Sequence, residues 1–137
     1  MRSVVVLAVL LLAPAFGCGG PSEYAVVGSP RAAGTDGLLQ LEEIEGGNRM
    51  LTLVLDHLPP PSRLAEGMTA YAVWVVPANG TPTKAGNLEY DEDARQGRLM
   101  ATTPHAQFTL KVTAEADGTA VTPSDVLVAD REVGGGD

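Results

Sequence analysis

Apolar residues along this chain come in short runs broken by Gly, Pro, Asn and Asp, the rhythm of a protein built from many short strands. The segment FTLKVTAE has the clearest period of two. Phe108, Leu110, Val112 and Ala114 fall on one face, and Thr109, Lys111, Thr113 and Glu115 on the other. That pattern predicts a strand with one dry side and one wet side. MLTLVLDHL groups Leu51, Leu53 and Leu55, while Val54 and Leu58 make its opposite face partly apolar. In LLQLEEIE the phase breaks, because Leu39 and Leu41 point opposite to Leu38 and Ile44, and a twist or bulge is expected there. YAVWVVP is apolar on both faces and rich in β-branched and aromatic residues, which predicts a central strand covered on both sides. Pro77 ends it, since proline cannot donate to the ladder. Asn79-Gly80 supplies a hairpin signal, in a loop that Pro82 makes longer than two residues.

Strands are expected near Tyr24–Gly28, Leu38–Glu45, Arg49–Leu58, Ala70–Val76, Lys84–Tyr90, Arg98–Thr102, Gln107–Glu115 and Asp125–Ala129. No segment carries the period of a long helix. SRLAEG (Ser62–Gly67) has room for one helical turn, stopped by Gly67 and the prolines before it. The expected fold is all-β, an immunoglobulin-like β-sandwich of about seven to eight short, mostly antiparallel strands over residues 24–133, with a flexible tail at 134–137. Aromatic residues make up 4% of the chain, so the core must be mostly Val, Leu and Ala, with Trp74 its largest single piece. The alternative is a Trp74 that sits at a surface or faces a ligand.

The first residues follow a different pattern. Met1-Arg2-Ser3 is a short cationic start, Val4 to Leu12 is unbroken aliphatic, and LAPAFGCGG then shifts to small residues around Cys18. This is the layout of a secretory signal over residues 1–17. The apolar stretch from Val4 to Gly17 is 14 residues, short of the roughly 20 that a helix needs to span a hydrocarbon core. Cys18 is the sole cysteine, so no intrachain disulfide can form. Gly17 before it and Gly19-Gly20 after it make the site similar to a bacterial lipobox, although Ala15 and Phe16 stand where Leu and a small residue are usual. Two readings of Cys18 follow: the palmitate-bearing attachment residue of a lipoprotein, or a stray thiol left by ordinary cleavage at Ala13-Pro14-Ala15. The first is preferred, because it accounts for the position of the cysteine and avoids a lone reactive thiol on an exported protein. Two or more acyl chains at ~0.8 kcal/mol per buried methylene make a stable anchor. Residues 18–23 would then be a lipidated tether.

Charge narrows the choice of partners. The chain carries a formal net charge of −8, and removal of residues 1–17 takes away only Arg2 among the charged side chains, leaving −9. Such a domain repels phosphate backbones and anionic lipid surfaces, so nucleic acid is not an expected partner, and membrane attachment has to come from the lipid.

Candidate chemistry is sparse. His57 and His105 are the only histidines, and neither has a second ligand at a spacing typical of zinc or copper sites. EYDEDAR (Glu89–Arg95) is the densest acidic run, yet it lacks the glycine and the late glutamate of a calcium loop. It reads as a solvated turn that discourages edge pairing, with weak calcium binding by residues 89–93 as the alternative. No Ser-His-Asp layout, nucleophile elbow, phosphate loop or paired-cysteine motif is present. No catalytic residue, metal ligand or cofactor is therefore assigned, and the chain is not expected to be an enzyme.

Three stretches together resemble a known family: LDHLPPPSRLAEGMTAYAVWVVPANGTPTKAGNL, FTLKVTAEADGTAVTPSDVLV and, more weakly, YAVVGSP. They are similar to the extracytoplasmic C-terminal domain of the anti-sigma-K factor (RskA) family. The residues that carry the likeness are Leu58-Pro59-Pro60, Tyr71 with Trp74, Ala85-Gly86, Val112-Thr113 with Glu115, and Gly118 with Pro123-Ser124. Family members usually carry a helical sigma-binding region and a membrane-spanning helix ahead of this domain, and neither is found here. The resemblance implies a sandwich associated with signal reception, presented on lipid; it carries no ligand-binding residue across. The expected protein is a bacterial envelope lipoprotein facing the periplasm or the exterior. Its non-catalytic sandwich would bind an unidentified envelope protein or sense a signal. A structural or assembly lipoprotein and a small-ligand or calcium-binding domain are the alternatives.

Overall fold

The computed structural model describes residues 20–134. The leader 1–17, Cys18 and the tail beyond Gly134 lie outside them. Nine strands follow in chain order: β1 (Ser22–Val27), β2 (Asp36–Glu43), β3 (Arg49–Asp56), β4 (Ala70–Val76), β5 (Thr83–Asn87), β6 (Glu89–Asp91), β7 (Gln96–Thr103), β8 (Phe108–Glu115) and β9 (Leu127–Val133). One α-turn, α1 (Pro61–Leu64), overlaps only the start of SRLAEG: it begins one residue earlier, with Pro61 in its first turn, where a missing N–H costs nothing.

All strand pairs are antiparallel, in two sheets ordered β1-β2-β3-β7-β6 and β5-β4-β8-β9. If β2 is taken as strand A, the first sheet reads A-B-E-D and the second C′-C-F-G, the immunoglobulin arrangement with β1 added outside A. The expectation of an immunoglobulin-like sandwich is met in this connectivity.

The core lies between the sheets and is aliphatic, as the composition requires. Leu39, Leu41, Leu51, Leu53 and Leu55 of the first sheet meet Tyr71, Val73, Val75, Leu110, Val112 and Ala114 of the second. Burial alternates along β3, with Leu51, Leu53 and Leu55 inside and Thr52 and Val54 half-buried outside. β2 runs in unbroken register with both neighbours, so the bulge expected in it is absent. Leu38 simply occupies the solvent face, and Ile44 lies beyond the strand end. The register shifts occur instead between Val73 and Trp74 against β5, and between Val112 and Thr113 against β9.

The run expected as one strand over Lys84–Tyr90 is two strands in different sheets. Leu88 stands between them: its N–H still bonds to Tyr71 O at 2.9 Å, while Tyr90 already pairs with Gly97 in the other sheet. This corner closes one side of the sandwich. The inward face of β7 makes room for it at Gly97, where a Cβ would lie 2.8 Å from Leu88 Cδ1. On the opposite side a Gly28–Ala129 bridge joins the end of β1 to β9. β1 begins two residues earlier than its pattern indicates, and β9 runs to Val133 where alternation points to Ala129.

Candidate functional site

Two polar clusters tie loops to the sandwich, one at the β3–β4 crossover and one on the outer face of the four-stranded sheet.

The first holds the proline-rich crossover between β3 and β4. Leu58 is fully buried, and the three prolines after it have no N–H to donate to a ladder. The carbonyls of Leu58 and Pro59 therefore take partners from side chains: Tyr90 Oη donates to Leu58 O, and Tyr71 Oη donates to Pro59 O. The two rings meet edge to face, with centroids 5.4 Å apart at 75°. Burial, and secondarily the neighbouring Tyr90 hydroxyl, holds the Tyr71 hydroxyl far above the ordinary phenol range. Tyr90 is raised by the same desolvation, with Glu92 adding to it. These hydroxyls stay protonated and act as donors.

The second cluster lies on the outer face of the four-stranded sheet. Trp74 is fully buried, as the two-sided apolar pattern of β4 predicts, but its side chain is directed away from the core between the sheets. Its Nε1–H donates to Thr113 Oγ1 at 2.8 Å, and Thr113 Oγ1–H donates to Glu115 Oε2. Ser124 N–H reaches the same Glu115 oxygen at 3.0 Å. The face of β8 expected to be wet is thus dry at Thr113 and Glu115, both buried. Segment 116–126 roofs it. Lys84 ties that roof down, with Nζ donating to Gly118 O at 2.8 Å and Ala120 O at 3.0 Å while standing 5.9 Å from the Trp74 ring centroid. Asn87 Nδ2 adds a bond to Gly118 O, and Ser124 Oγ one to Ala114 O.

The other candidates are dispersed. His57 follows β3 in the left-handed region (φ 56°) and pairs with Asp36 Oδ1 through Nδ1 at 2.7 Å, both side chains exposed. The hydrogen bond to Asp36, then its charge, raises the His57 pKa above the ordinary imidazole value. His105 sits in the β7–β8 turn, at the other end of the sandwich, because Thr103 pairs with Arg49 at the start of β3. In the acidic turn Asp91 Oδ1 is occupied by the backbone N–H groups of Asp93 and Ala94, at 3.0 and 3.1 Å. Among the described residues no three His, Cys, Asp or Glu side chains are grouped to hold a metal ion. No helix among them is long and apolar enough to cross a membrane. Cys18 lies outside the described residues.

No protein-family model, curated protein or solved structure matches the chain. The sequence pattern singles out Tyr71, Trp74 and Glu115 but not their partners, Pro59 for Tyr71 and Thr113 between Trp74 and Glu115. A buried carboxylate anchoring a loop has only a faint signal, an acidic residue at the end of an alternating strand.

Proposed function

We propose that this protein is a lipid-anchored envelope protein whose sandwich is a non-catalytic binding or sensory module of the anti-sigma-K outer-domain type. The observation that carries the reading is the cationic, aliphatic leader over residues 1–17, followed at once by Cys18 and a short tether into an all-β sandwich. β1 starts at Ser22, four residues after Cys18, and four extended residues span at most ~14 Å. Acylation at Cys18 would hold the sandwich against the bilayer by the end that carries Ser22 and the β2–β3 turn, since Ser22 pairs with Leu41. The proline-rich crossover and the acidic turn would then face away.

The resemblance residues support the module through its architecture. Leu58, Pro59 and Tyr71 form the crossover clamp; Trp74, Thr113, Glu115, Gly118 and Ser124 form the roofed cluster. Such residues secure a scaffold and leave recognition to its surfaces.

Metabolic labelling with radioactive palmitate, followed by fractionation, tests the anchor. Wild-type protein is expected to carry label and sediment with membranes, and Cys18→Ser to lose both. Recovery of unlabelled protein from cytosol with Met1 attached would overturn the reading.

A further inference from the structure

The two sheets differ in what covers their outer faces. Segment 116–126 lies over the four-stranded sheet, whereas no segment among the described residues covers the outer face of the five-stranded sheet. Three of the four large apolar side chains exposed among the described residues stand on it: Val27 at 70%, Leu38 at 37% and Met100 at 67%. Ala25, Leu38 and Val54 are direct register neighbours, forming an apolar row across three strands. Beside the row, Thr52, Val54 and Met100 line a depression of about 190 Å3 with Glu89 and Arg98.

Carboxylates rim this centre. By strand alternation Asp36, Asp56 and Asp91 share the outward row beyond it on one side, Glu23 and Glu42 lie on the other, and Glu89 stands at the β6 edge. Arg98 is the one cation among these outward strand positions.

We propose that this face is a docking surface for a partner protein presenting cationic side chains around an apolar centre. The inference rests on the binding-module part of the functional reading and is independent of acylation at Cys18. Charge selects the occupant. A second copy of this chain would set carboxylate against carboxylate, and an anionic bilayer would be repelled in the same way. A basic, apolar-centred surface satisfies both features at once, with the row and depression receiving its apolar side chains and the rim its cations.

The test uses the full chain as purified from cells and a defined probe, a synthetic amphipathic helix of lysine and leucine, with a glutamate–leucine helix as control. Chemical-shift mapping should place the lysine peptide on β2, β3 and β7, and the glutamate peptide should not bind. The double substitution Leu38→Lys with Met100→Lys should weaken binding at least ~tenfold, since like charges then meet at the centre. Val121→Lys, at an exposed apolar residue on the other sheet's roof, should leave binding unchanged; unaltered melting temperatures establish that both variants fold. Absence of binding, shifts centred elsewhere, equal binding of the glutamate peptide or equal loss in Val121→Lys would overturn the proposal. So would a concentration-dependent dimer abolished by Leu38→Lys. Because palmitate labelling reads the anchor separately, failure of one leaves the other standing.

Discussion

The Trp74 indole donates to the Thr113 hydroxyl at 2.8 Å across adjacent strands, on the side of β4 turned away from the core. The largest side chain in the protein is thereby buried under a loop instead of between the sheets. Trp74→Ala is expected to destabilise the domain by about 3–5 kcal/mol, as for other buried tryptophans. That is a large part of the roughly 5–15 kcal/mol a domain has. Urea unfolding followed by circular dichroism reads the loss; a midpoint close to wild type would mean that Trp74 contributes little packing.

Thr113 links two buried groups, so its removal should cost more than one hydrogen bond. Thr113→Val keeps the shape but leaves the Trp74 N–H and one Glu115 interaction unmet, at about 1–3 kcal/mol for each stranded group. Combined with Trp74→Phe, which removes the N–H, the loss should be smaller than the sum of the singles. Strict additivity in this double-mutant cycle would show that the chain of hydrogen bonds does not act as a unit.

The two tyrosines that clamp the proline-rich crossover differ in exposure, and the difference predicts a ranking. Tyr71→Phe strands the Pro59 carbonyl beneath a buried ring and should cost ~1–2 kcal/mol. Tyr90→Phe should cost less, because water can reach the Leu58 carbonyl once the half-buried Tyr90 hydroxyl is gone. Equal or reversed losses in thermal melts would contradict this account of the clamp.

The pair His57–Asp36 gives a pH signature. Because the folded-state pKa of His57 is raised, its contribution to stability is complete below the unfolded value of ~6.5. It disappears as pH climbs through the folded value. Proton NMR titration should show His57 above the unfolded value in wild type and lower in Asp36→Asn. Both side chains are exposed, so the melting temperature should change little. An unmoved His57 titration in Asp36→Asn would remove Asp36 as the cause.

Much of the fold was legible along the chain. The alternation of β3 and of the first half of β8, the two-sided apolar run of β4 and a helical turn at the end of the proline run each depend on neighbours within a few residues, and each is found. The phase break near Leu38 misled because alternation says which residues share a face but not which face needs covering. Leu38 is tolerated in solvent, on the outer face of the five-stranded sheet.

What the sequence determined by itself is the strand rhythm, the aliphatic core and the negative charge, all properties of local order and composition. Only tertiary structure decided that Lys84–Tyr90 divides between two sheets and that Thr113 and Glu115 lie dry beneath segment 116–126. It also decided that the hydroxyls of Tyr71 and Tyr90 serve carbonyls 12 and 32 residues away. The reason is physical. A strand's period records the side of the sheet on which a residue falls, whereas desolvation depends on what a distant segment lays over that side, and a buried polar atom takes whichever partner the fold brings within reach.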